Sequence, residues 1–241
     1  MIENISTKEA AVVPITAGVA WAAAVVSLGL AGSMIKRWAE RGGAHHFWWA
    51  ASFLLYTAAA FTEGYALVWG WTSPIYKVYY YAALVLVAAM AAGEVDLLGK
   101  GRRGWARRAF TGYVLGVSLV FLVHLISLGP LDMTRFRGAG TAIGGQAMPG
   151  AIRNWYPLLL SMVGGVILIV GPLWSWWKTR QPSGLLIALG AVILSAAGSA
   201  AKTGHPALLP ISELAGILLI WLGVMGAGSA PRKDRPEGKG E

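Results

Sequence analysis

Glu63, Tyr80, His124 and Glu213 are the residues of this sequence best placed to do chemistry, because each falls inside or beside a long apolar run. An ionisable side chain at the centre of a membrane helix costs about 2.5–3.5 kcal/mol on translocon scales, so such residues mark function or a specific partner. A buried glutamate can hold a proton or a cation, a tyrosine hydroxyl can give or take a hydrogen bond, and an imidazole can do either or ligate a metal. Ser52, Tyr56 and Glu63 recur at i, i+4 and i+11, which keeps them on one helical stripe. Lys202 closes one apolar run and Glu213, of opposite charge, lies one turn into the next, while Asn154 begins another. The candidate ligand-binding set is therefore Tyr56, Glu63, Tyr80, Tyr81, His124, Asn154, Lys202 and Glu213, with no catalytic residue proposed.

Each member also has a plainer reading. Glu63 can be a structural acid bonded to a tyrosine hydroxyl. Lys202 and Glu213 can snorkel to the interface, His124 can be a hydrogen-bonded core residue, and Tyr76, Tyr79, Tyr80 and Tyr81 can be interfacial aromatics.

The elements that must position these groups are membrane helices. Hydrophobic residues make up 56% of the 241 and charged residues only 13%, far from the balance of a soluble globule. A helix crossing the hydrocarbon core needs roughly 20 residues. Seven stretches meet that length, at about 10–35, 47–70, 76–97, 109–131, 154–177, 182–202 and 208–228. The fold class expected is an all-α, polytopic seven-helix bundle occupying residues 10–230, preceded by an N-terminal segment 1–9 and followed by a polar tail 231–241 expected to be disordered. The first run is too long for a signal-peptide core and lacks a basic segment before it, so it is read as a retained helix.

Fourteen of the 20 Lys and Arg residues cluster after the first, third, fifth and seventh runs, at Lys36–Arg41, Lys100–Arg108, Lys178–Arg180 and Arg232–Lys239. The other six are Lys8, Lys77, Arg135, Arg137, Arg153 and Lys202. The positive-inside rule then predicts the N-terminus outside and the C-terminus in the cytoplasm. The same topological placement accounts for the net charge of +9 without any nucleic-acid partner. In this frame Glu63 lies roughly 10 Å below the outer end of its helix and His124 about 7–10 Å below its own. Polar residues within the spans gather in the outer third, and the inner halves read as apolar except for Glu94 and Asp96.

A Gly-rich loop over 130–153 on the outer side is long enough to cover such a cluster. Gly112 with Gly116, Gly18 with Ala22, and Gly223 with Ala227 form small-xxx-small pairs suited to close helix packing. Trp48, Trp49, Trp69, Trp71, Trp155, Trp174, Trp176 and Trp177 fall near predicted interfaces, as an aromatic belt does.

Several chemistries lack their residues. No cysteine is present, which removes disulfides, thiolate metal sites and thiol nucleophiles. The last helix has no lysine for a retinal Schiff base. Phosphate-loop, dinucleotide and HExxH patterns are missing, and no metal site is expected. His45 and His46 are adjacent rather than a turn apart and read as an interface feature. The cofactor stays undefined: His124 and His205 are the one pair that could ligate a haem axially, and His124, Tyr80 and Glu63 could serve a quinone.

The stretch HHFWWAASFLLYTAAAFTEGYALVWGWTSPIYKVYYYAAL, through Trp49, Tyr56, Glu63, Tyr76, Tyr80 and Tyr81, resembles uncharacterised seven-helix bacterial membrane proteins. More distantly it is similar to the seven-transmembrane sensor region of bacterial histidine kinases, and GLLIALGAVILSAAGSAAKTGHPALLPISELAGILLI continues the likeness. The resemblance implies a multi-pass protein of the bacterial plasma membrane. No kinase segment follows the last helix, so signalling would require a separate membrane or cytoplasmic subunit.

Three readings follow. The first is a non-enzymatic protein that binds a small ligand in an outer-leaflet polar pocket, as a sensor or accessory subunit. The second is a membrane anchor or quinone/haem-binding subunit of an electron-transfer complex. The third, a transporter, would need a polar path to the cytoplasmic side and, commonly, internal repeats.

Overall fold

The computed structural model describes residues 7–99, 104–136, 145–202 and 208–227, and the side chains of 15–99, 104–134, 136, 145–196 and 211–226. These residues form seven helices and no strand. They are α1 (Thr7–Arg41), α2 (Ala44–Trp69), α3 (Ser73–Leu98), α4 (Gly104–Ser127), α5 (Gly150–Thr179), α6 (Pro182–Lys202) and α7 (Leu208–Ala227). A single 3₁₀ turn, Thr134–Phe136, lies between α4 and α5.

The breaks have local causes. Gly42 and Gly43 take φ of 65° and 88° between α1 and α2, a conformation that a side chain disfavours. Gly70, at φ 82°, ends α2 and sends its N–H back to the Ala66 carbonyl. Pro74 sits in the first turn of α3, where a missing N–H costs nothing. Arg180 closes α5 in a left-handed conformation, with its N–H on the Trp176 carbonyl.

Four helical stretches are long and apolar enough to cross a membrane: Ile15–Arg41, Ser73–Leu98, Gly104–Ser127 and Gly150–Thr179. Pro182–Ala196 and Ile211–Gly226 are shorter apolar stretches. The 26-residue α2 has the length, about 39 Å at 1.5 Å per residue, but its two histidines, Glu63 and hydroxyl residues make it more polar. Several boundaries differ from the expected ones: the first helix continues to Arg41 and the second begins at Ala44. The third helix starts at Ser73, the fourth begins at Gly104 and stops at Ser127, and the fifth begins at Gly150 inside the supposed 130–153 loop. The expected N-terminal segment 1–9 is helical from Thr7 onward, and the tail 231–241 lies outside the described residues.

Each of α1, α2, α3, α5, α6 and α7 packs against the next, and α7 returns to α1, closing a ring of six. The remaining helix, α4, lies outside that ring against α3 and the first half of α5. Between lipid-facing helices there is little hydrophobic driving force, so close backbone approach and interhelical hydrogen bonds hold the bundle. A Cβ on Gly190 would lie 2.6 Å from the Gly216 carbonyl oxygen, and one on Gly164 would lie 2.9 Å from that of Val87. Ser27 Oγ donates to the Phe53 carbonyl at 2.8 Å, joining α1 to α2. Tyr113 donates to the Leu159 carbonyl at 2.6 Å, joining α4 to α5.

Of the three small-residue pairs expected to mediate packing, only Gly223 lies at a close crossing, against Ile187 and the Ser183 carbonyl. Gly18, Gly112 and Gly116 face open space. The belt reading is corrected for Trp48, Trp49 and Trp71, which are buried, whereas Trp69, Trp155, Trp174 and Trp177 are exposed.

Candidate functional site

The stripe on α2 faces inward: Ser52, Tyr56 and Glu63 are all buried. Glu63 shares a side-chain hydrogen bond with Glu213, in the second turn of α7, so two carboxyl groups meet across the ring. Tyr56 and Tyr79 stand within electrostatic reach of both. A carboxylate only accepts hydrogen bonds, so a bond between two carboxyls requires at least one proton between them. Trp21 lies against Gly64, one residue from the acid, where a Cβ would come within 2.5 Å of the indole. Three buried polar atoms here have no hydrogen-bond partner: Glu63 Oε2, the Tyr56 hydroxyl and Trp21 Nε1. An unfilled acceptor and two unfilled donors in an apolar surround are costly unless something small and polar meets them.

A second group lies between α3, α4 and α5. Phe121 stacks on Tyr156 with ring centres 4.3 Å apart and meets the edge of Tyr80 at 6.0 Å. Tyr81 packs against the same phenylalanine at 5.4 Å. His124 Nδ1 is hydrogen-bonded to the Tyr156 hydroxyl. The Tyr80 hydroxyl lies beside Gly145, which is also flanked by Arg153. Asn154 is exposed one residue further along.

The expectation of one pocket shared by all candidates is thus corrected to two groups divided by α3. Tyr56, Glu63 and Glu213 come together inside the ring, with Tyr79 added. Tyr80, Tyr81 and His124 belong to the α4–α5 side, and Asn154 points away from both. The side chains of Lys202 and His205 lie outside the described residues, so of the proposed haem pair only His124 is described.

A third group sits at the opposite end of α2 and α3. Asp96 Oδ2 accepts from the backbone N–H of His45 at 3.0 Å and lies 3.2 Å from its Nδ1. Arg107 Nε approaches Oδ1 of the same carboxylate at 3.3 Å. His46 stacks near His45 with ring centres 4.1 Å apart, and Trp49 packs edge-on to His45 at 5.4 Å. Glu94 is buried nearby, with Oε2 unpartnered and its side chain beside Gly171 of α5. His45 and His46, read from the sequence as an interface feature, are instead buried here, beside Glu94 and Asp96, the two acids already excepted from the apolar pattern. His45 and Asp96 are 51 residues apart, so no local spacing announces their pairing. Among the described residues no cluster of three or more His, Asp and Glu could hold a metal ion.

No family model, curated protein or solved structure matches the chain. Geometry and chemistry therefore carry the functional reading.

Proposed function

We propose that this chain is a non-enzymatic integral membrane protein whose helical ring holds a small ligand against the Glu63–Glu213 carboxyl pair, serving as a sensor or accessory subunit. The observation that carries the reading is the pairing of two acids from α2 and α7, ringed by buried polar atoms with empty valences. A ligand with a positive charge or N–H donor for Glu63 Oε2 and an acceptor for the Tyr56 hydroxyl or Trp21 Nε1 suits it, and its charge could replace the shared proton. The proposed frame is seven spans in a bacterial plasma membrane, with the N-terminus and the carboxyl pair toward the outside. It rests on the Lys and Arg asymmetry. Output would pass to a separate membrane or cytoplasmic subunit.

The test is native mass spectrometry of the purified protein beside its Glu63→Gln/Glu213→Gln double variant. A small-molecule adduct on the parent that is missing from the variant supports ligand binding. Identical adduct-free spectra, with only thermal stability reduced in the variant, make the pair structural.

Transport is less well supported. Polar groups do occur at both ends of the ring, but Phe53, Met90, Ile217 and Ile220 are fully buried in the core cluster between α1, α2, α3 and α7.

A further inference from the structure

Glu63 and Glu213 share a hydrogen bond, so at least one proton lies between them. With that proton alone the pair would hold one net negative charge inside the bundle, which is costly without a counter-charge. Among the described residues the acids in ion pairs are Glu40 and Asp96, and no lysine, arginine or histidine is set against Glu63 or Glu213. The titratable groups facing the pair are Tyr56 of α2 and Tyr79 of α3, and α1 contributes the indole of Trp21. Two states of the bonded pair are neutral: two protons, or one proton with one monovalent cation.

The surrounding atoms select the cation. Tyr56 is 4% exposed, its hydroxyl has no hydrogen-bond partner, and it stands within electrostatic reach of both acids. Glu63 is 2% exposed, and its Oε2 is likewise unpartnered. Both atoms are hard oxygens with lone pairs to give, the ligands that hard metal cations take. A divalent ion is disfavoured, since no three His, Asp or Glu side chains gather among the described residues. Space is short as well. One turn from the acids, Ala60, Ala66 and Ile217 are buried, and a methyl group on Gly64 would come within 2.5 Å of the Trp21 indole. An ion close in size to a water molecule suits such a place, whereas the carbon skeleton of an organic amine would have to displace packed side chains.

We propose that the Glu63–Glu213 site binds one alkali cation in exchange for one proton, with Glu63 Oε2 and the Tyr56 hydroxyl oxygen as ligands and water completing the shell. One proton leaves for solution, the other stays between the carboxyls, and the net charge is unchanged. The carboxylate so formed has lone pairs enough to hold the cation and still accept from the Trp21 N–H. This inference rests on the ligand-binding reading above and names the class of that ligand.

The test uses the full chain in detergent micelles, in weak buffer, with sodium chloride as the probe and choline chloride at equal ionic strength as the control. Sodium should release about one proton per chain, and its half-saturating concentration should fall about tenfold per unit rise in pH over the range where a proton is displaced. It should also raise the thermal midpoint saturably. Tyr56→Phe keeps both acids and removes an oxygen that nothing else satisfies. In choline its midpoint should equal or exceed that of the parent, while its sodium affinity drops about fivefold or more. Glu63→Gln/Glu213→Gln should release no proton. An unchanged sodium response in Tyr56→Phe, or neither proton release nor a sodium-dependent midpoint in the parent, overturns the proposal. A native-mass adduct that depends on the two acids, without any sodium response, leaves ligand binding standing and removes the alkali cation. If both adduct and sodium response are missing, the two readings fall together.

Discussion

Asp96 accepts both the backbone N–H and the ring nitrogen of His45, so a side chain from the end of α3 caps the first turn of α2. The residue before that turn, Gly43, offers no side-chain cap of its own. The first N–H groups of a helix lack intrahelical acceptors and carry partial positive charge, which a carboxylate satisfies on both counts. Arg107 on the second oxygen extends the tie to α4.

Asp96→Ala should therefore destabilise the protein by about 2–3 kcal/mol, since it strands a helix terminus and a partly buried guanidinium together. Arg107→Gln should cost only about 0–1 kcal/mol, because its side chain reaches solvent or headgroups. Denaturation of the purified variants in one detergent checks both. Equal losses would show that Arg107 matters as much as the cap.

Gly190→Ala should destabilise by about 1–3 kcal/mol, because the new methyl group runs into the backbone of α7, which cannot step aside. Gly112→Ala should be neutral or slightly stabilising, with space around it and better helix propensity by about 1 kcal/mol. Midpoints of thermal unfolding for the two variants, measured side by side, decide the point.

Lys77 donates from α3 to the carbonyl of Leu128, just past the end of α4, and Ser73 accepts from the N–H of Leu131. Lys77→Met should weaken this anchor by about 1–2 kcal/mol. Limited proteolysis after residues 128–136 should speed up severalfold, with the rest of the bundle unchanged. Unaltered cleavage would assign the lysine to topology alone.

The absence of cysteine permits a direct test of the proposed sidedness. Gln146→Cys should react with an impermeant maleimide in intact cells. Arg41→Cys and Thr179→Cys should react only after the membrane is opened. The reverse pattern would invert the orientation.

Much of the helix inventory is legible in the sequence, because an apolar run of sufficient length has few alternatives and Gly42–Gly43, Gly70 and Pro74 punctuate it. The stripe of Tyr56 and Glu63 is legible too, as a matter of 3.6-residue periodicity. Azimuth against the neighbours is not. Tyr79 and Tyr80 differ by about 100° around α3, enough to send one toward the carboxyl pair and the other toward Phe121. Which of them turns inward depends on where α2 and α4 dock, and nothing local to the tyrosines encodes that. The meeting of Glu63 with Glu213 likewise depends on α7 closing against α1, a fact of assembly and not of spacing. Gly112 and Gly116 show the converse case, a packing motif in pattern that meets no helix.

The turn Pro157–Met162 of α5 is wound as a π-helix, which carries one more residue per turn than its surroundings. Ile152 and Tyr156, before it, belong to the core beneath α4, while Leu168, after it, belongs to the core of the ring. The surplus residue works as a phase adjuster, letting a single rod address two targets that a uniform screw would leave out of step. Deleting Leu158 should rewind that turn and swing Tyr156 by about 100° relative to Leu168, parting it from His124 while both ends of the rod stay helical.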